Sequence, residues 1–121
     1  MLEAYDPSHQ VRAFVDSFAP GTPDVEWIPA LLTWEPKPVI LCGDGRILRN
    51  TAECAALREC DTHFVFLGEG FTRASFHEQA WKILKVWPKI VDEVRRTRSA
   101  TLWEFRMKAE KLERRCAISE V

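Results

Sequence analysis

The sequence contains no apolar run close to the roughly 20 residues that span a bilayer. Its first residues, Met1-Leu2-Glu3-Ala4-Tyr5-Asp6, lack the basic-then-apolar order of a secretory signal. These absences argue against a membrane role and make the cytoplasm the expected compartment. None of the four cysteines (Cys42, Cys54, Cys60, Cys116) stands in C-x-x-C spacing, so a disulfide framework is not expected and the thiols read as free and mostly buried. Cys54, Cys60 and His63 lie close in sequence but fit no common structural-zinc spacing. No G-x-S-x-G frame surrounds a serine or cysteine, and His9, His63 and His77 share no triad or metal-ligand spacing, which leaves nucleophilic catalysis without support. Gly43-Asp44-Gly45 is too short for a nucleotide-binding glycine loop. Repeats, low-complexity tracts and long linkers are also missing.

What remains is an ordinary globular composition. The chain has 121 residues, 46% hydrophobic and 29% charged, enough for one domain with one substantial core. The net charge of -1 hides an asymmetry. Residues 1–72 hold 5 basic and 11 acidic side chains, a balance of -6, whereas residues 73–121 hold 12 basic and 7 acidic, a balance of +5. Such polarity suits an acidic metal site beside a basic rim that meets a phosphodiester backbone, and it equally suits a helix and tail with solvated charges.

Strands and helices alternate along the chain. Val11-Arg12-Ala13-Phe14-Val15 reads as a short strand, followed by a loop punctuated by Pro20 and Gly21. A short helix is expected from about Asp24 to Thr33, with Thr22 as N-cap and Pro23 at the first helical position; Pro29 keeps it short or bent. Lys37-Pro38-Val39-Ile40-Leu41-Cys42 is a continuous apolar run of the kind a strand covered on both faces shows, and it is expected to be the central strand. Asn50 and Glu53 frame a capping box for a helix over residues 51–59. His63-Phe64-Val65-Phe66-Leu67 gives a second apolar strand. Ser75 and Glu78 open a long helix with Ala80, Leu84, Trp87, Val91 and Val94 on one side, kinked at Pro88. Residues 101–108 alternate, with Trp103, Phe105 and Met107 on one face, and read as a half-exposed edge strand. Trp27, Trp81, Trp87 and Trp103 are expected in the core, and Trp34 on the surface.

This pattern predicts an α/β fold with a mostly parallel sheet and right-handed crossovers. The organisation expected is one domain over residues 1–108, followed by a charged helix or tail over 109–121. In open parallel sheets the functional residues lie beyond the carboxyl ends of the strands. Asp44 is therefore the first candidate, since it follows an apolar strand between two glycines. Asp24 and Glu26 open the preceding helix, and three carboxylates form the oxygen donor set that Mg²⁺ or Mn²⁺ prefers; acids in a first helical turn also simply complement the helix dipole. Arg46 and Arg49, just past Asp44, are placed to meet a phosphate. Asn50 and Glu53 read as a cap in preference to site residues.

The segment Asp24-Val25-Glu26-Trp27-Ile28, the strand ending in Gly43-Asp44-Gly45-Arg46-Ile47, the Asn50-x-x-Glu53 box and the apolar strand after it resemble the PIN-like domains related to VapC-type toxins, over roughly residues 5–105. The resemblance implies a three-layer sandwich and a metal-dependent ribonuclease, possibly the toxin of a toxin-antitoxin pair. It gives Asp24, Glu26 and Asp44 as catalytic metal ligands for Mg²⁺ or Mn²⁺, with Arg46 and Arg49 toward the RNA. The partners implied are RNA, an antitoxin protein and, through an open sheet edge, a second copy of the chain. In that family a strand carrying an aspartate and then a helix precede the part that looks like Ala4-Tyr5-Asp6-Pro7-Ser8-His9. Here the chain begins at Met1, and that strand and its carboxylate are expected to be absent; neither Asp6 nor Asp16 is an evident substitute. The alternative is a catalytically impaired PIN-like module that binds RNA or a protein partner.

Overall fold

The computed structural model describes residues 11–43, 45–68 and 70–121. The expectations resting on residues 1–10, including the absent first strand, Asp6 and His9, lie outside the described residues, as does Asp44. Among those described, three helices and a four-stranded sheet build three layers. The helices are α1 (Asp24–Ala30), α2 (Thr51–Cys60) and α3 (Phe76–Arg96). The strands are β1 (Ile40–Cys42), β2 (Phe64–Leu67), β3 (Thr101–Phe105) and β4 (Glu113–Ala117).

The sheet order is β1-β2-β3-β4, parallel across the first two pairings and antiparallel across the last. Side chains alternate across a strand, and the two cores follow that alternation. Ile40, Phe64 and Leu102 pack with Trp27 and Ile28 of α1, with Leu31 just after it, and with Ala56, Leu57 and Cys60 of α2. Val65, Trp103 and Phe105 face the other way, onto Val86 and Ile90 of α3. The α/β sandwich with a mostly parallel sheet is thus the observed fold.

Several local expectations are corrected. β1 is not central: among the described residues it has one neighbour, and β2 and β3 are the inner strands. β3 is not an edge strand, because residues 113–117, expected within a charged helix or tail, form β4 beside it. Val11–Val15 is not a strand. Residues 14–17 make one helical turn, in which the Asp16 carboxylate accepts the Ala13 backbone N–H at 3.1 Å. Phe14 and Phe18, four residues apart, then meet each other and Trp27. Pro23, not Thr22, occupies the N-cap of α1, and the Thr22 hydroxyl bonds back to the Ala19 carbonyl. The first two crossovers step the same way across the sheet while α2 and α3 lie on opposite faces. They therefore wind with opposite hands, and one departs from the right-handed rule.

The caps were legible. The Asn50 side chain accepts the Glu53 N–H at 3.0 Å, and Ser75 Oγ accepts the Glu78 N–H at 3.2 Å, as capping geometry requires. α3 continues through Pro88, and its buried stripe runs through Ile83, Val86, Trp87, Ile90 and Val94. That stripe is rotated from the expected one, so Trp81 points to solvent and is 60% exposed. Trp34, expected at the surface, is half-buried and stacks on Phe18 at 6.1 Å between ring centroids.

Candidate functional site at the carboxyl ends of the strands

The described site residues, Asp24, Glu26, Arg46 and Arg49, belong to elements that precede or follow β1. Asp24 is the first residue of α1, and its Oδ1 accepts the indole N–H of Trp27 at 2.7 Å. Trp27 is itself buried, so the carboxylate is oriented by a group that cannot swing away. Glu26, in the same turn, is exposed. Arg46 and Arg49 sit on the 3-10 turn Gly45–Arg49 that follows β1, both exposed and held in place by the buried Ile47. Gly45 comes close to β2 there, since a Cβ would stand 2.9 Å from Cζ of Phe66. The turn thus lies against β2, just beyond the end of β1.

Among the described residues no group of three or more His, Cys, Asp or Glu side chains is placed to hold a metal ion. A centre using Asp24 and Glu26 would recruit a carboxylate from outside them, and in sequence Asp44 immediately precedes this turn. The donor chemistry, carboxylate oxygen only, fits Mg²⁺ or Mn²⁺. The Trp27 bond to Asp24 is of the kind that orients metal ligands from behind. The imagined zinc trio is differently employed: Cys54 Sγ lies 3.5 Å from the Leu48 carbonyl, and both ring nitrogens of His63 are bonded elsewhere.

Two polar clusters escaped the sequence reading. At the carboxyl end of β3, Glu104 accepts Arg106 Nε at 3.0 Å and Arg115 Nε at 2.7 Å, with a second contact from Arg115 Nη2. Glu113 lies 3.4 Å from Arg106 and 3.5 Å from Arg115. The signal was the alternation of Glu104 and Arg106, but its partners come from β4, which was not foreseen. Burial raises the Glu104 pKa, yet the hydrogen bonds from Arg115 and Arg106 and their charges outweigh it, so the carboxyl titrates below its ordinary range. A depressed folded-state value stabilises above the unfolded pKa and is lost as pH falls through the folded one. Stability is therefore expected to drop as pH is lowered below about 4.3, the ordinary glutamate value. Glu104→Gln is expected to cost about 1.5–3 kcal/mol at neutral pH, the worth of hydrogen bonds to a charged group, and to flatten that acid limb. Urea titrations of both proteins at pH 7 and pH 3.5 read the two effects.

The second cluster centres on His63, at the opposite end of the sheet. Its Nδ1 faces the Thr101 N–H and the Trp103 indole N–H, both at 3.2 Å, and its Nε2 lies 3.1 Å from the Thr97 carbonyl. Two donors converge on Nδ1, so the proton resides on Nε2 and goes to Thr97.

A family profile described as "PIN like domain" matches residues 2–69, a span that includes Asp24, Glu26, Asp44, Arg46 and Arg49. No curated protein and no solved structure matches the chain. With more than half its length inside that profile, and with the three-layer α/β architecture described above, the chain belongs to the PIN-like domain family.

Proposed function

We propose that this PIN-like domain is a metal-dependent endoribonuclease, the toxin type of a toxin-antitoxin pair, in which Asp24, Glu26 and Asp44 hold Mg²⁺ or Mn²⁺. What carries the reading is the coincidence of the family match with β1, a parallel strand followed directly in sequence by Gly43-Asp44-Gly45. The ion, when bound, polarises a phosphate and lowers the pKa of an attacking water. The chain supplies the rest. Trp27 fixes the direction of the Asp24 carboxylate. Arg46 and Arg49 present planar guanidinium forks that match a phosphate and carry no base preference.

A second reading, a catalytically impaired module that binds RNA or a protein, is favoured by one observation. Among the described residues no group of three or more His, Cys, Asp or Glu side chains is placed to hold a metal ion. Calorimetric titration with Mn²⁺ separates the two. The nuclease reading expects binding that weakens by at least about ten-fold in Asp44→Ala, as loss of a ligand should, together with RNA cleavage abolished by chelation. No Mn²⁺ binding by the unaltered chain sinks that reading and leaves the binding module.

A further inference from the structure

The solvent face of α3 carries a large aromatic side chain where a helix of a monomer normally carries polar ones. Trp81 on that face is 60% exposed, while Phe76, in the first turn and about 140° away around the helix, is 77% exposed. His77, Trp81, Lys85 and Lys89 recur every four residues and so share one face, which at 1.5 Å per residue extends over about 18 Å. Lys85 Nζ lies 4.9 Å from the centroid of the Trp81 ring, a cation–π contact. The His77 ring packs against Phe76 at 6.4 Å.

Charge identifies what such a surface meets. Glu110, from the β3–β4 connection, is bonded by the buried Lys82 at 3.3 Å and lies 3.8 Å from Lys85. Its pKa is lowered first by the Lys82 hydrogen bond and charge, then by Lys85, with a contribution from Lys89. Three ammonium groups therefore gather about one carboxylate, a positive excess near Trp81 that the exposed Glu78 on the same face offsets only in part. Protein-binding surfaces are depleted in lysine, whereas aromatic rings set among cations are how single-stranded nucleic acid is held.

We propose that this face of α3 is a stacking platform for single-stranded RNA, with a base on Trp81 and phosphates toward Lys85 and Lys89. The proposal rests on the RNA reading above for the choice of nucleic acid, and it needs no metal. Binding of a labelled oligouridylate is measured by fluorescence anisotropy in EDTA, for the unaltered chain and for Trp81→Ala, Trp81→Phe and Lys89→Ala. Trp81→Ala is expected to weaken binding on the order of ten- to a hundred-fold, as removal of one stacked base does. Trp81→Phe should restore most of the affinity, and Lys89→Ala should shallow the salt slope by about 0.7. Circular dichroism shows that each variant is folded. Unchanged affinity in Trp81→Ala overturns the platform while leaving the nuclease reading intact. Trp81-dependent binding without cleavage in Mn²⁺ upholds the platform and removes the nuclease. No binding by the unaltered chain overturns it, and a change in sedimentation on Trp81→Ala then marks the face as a contact between protein molecules.

Discussion

Phe64→Ala is expected to cost about 3–5 kcal/mol, a large share of the roughly 5–15 kcal/mol that holds a domain together. Phe64 is 0% exposed on an inner parallel strand, where Ile40 flanks it on one side and Leu102 on the other. The layer above it is made of Leu57 and Cys60 of α2 and Trp27 and Ile28 of α1. Removing the ring empties a space that four elements enclose, and helices fixed by short connections to the sheet cannot fall in to fill it. The loss therefore includes a cavity cost beside the transfer cost. The checking measurement is the urea midpoint at constant slope. A shift worth less than about 1 kcal/mol would mean that α2 collapses onto the sheet, and that the two layers are less rigidly joined than the packing indicates.

His63→Ala is expected to cost about 2–5 kcal/mol without removing any large apolar volume. The variant strips the acceptor from two donors at once, the Thr101 backbone N–H and the Trp103 indole N–H. Both belong to buried residues of β3, and each unsatisfied buried donor costs about 1–3 kcal/mol. His63 also stacks on Trp103 at 6.3 Å, so the variant loosens the indole twice over. The ring state is directly observable: long-range ¹⁵N–¹H correlations should report the Nε2–H tautomer. A double-mutant cycle with Trp103→Phe, which removes the indole N–H and keeps an aromatic, should return a coupling of about 0.5–3 kcal/mol. A coupling near zero would show that the two groups do not share the bond.

The parts of the fold that could be read from the chain are those whose signal is local. β2 appears as an unbroken apolar run because neighbouring residues serve opposite cores, as Phe64 and Val65 do, whereas the equally apolar β1 buries Ile40 and leaves Leu41 exposed. Asn50 and Ser75 announce their helices through bonds three residues long. What could not be read depends on distant partners. Glu113-Arg114-Arg115-Cys116-Ala117 looks like a solvated tail because its charges are matched by Glu104 and Arg106 on β3, not by its own neighbours. Without β4, β3 had no outer companion and was placed at the edge. Trp81 reads as a core residue because a tryptophan near an apolar stripe usually belongs to it, and only the packing of Val86 and Ile90 sets the phase of α3. At the candidate site the residue types were legible and the engagement of Asp24 was not, although its spacing of three from Trp27 was visible throughout.

The short β1 has a bearing on how this protein avoids its own kind. Among the described residues the strand has β2 on one side only, and Val39 and Leu41 stand 48% and 40% exposed along it. An open, apolar, parallel edge is a template for runaway strand addition. Here the template is three residues long, and the approach to it reads Pro36-Lys37-Pro38. Neither proline offers an N–H to an incoming strand, and the lysine between them carries a charge that a growing stack would have to bury. Residues 36–38 thus have the composition of gatekeepers against aggregation, beside a strand only three residues long.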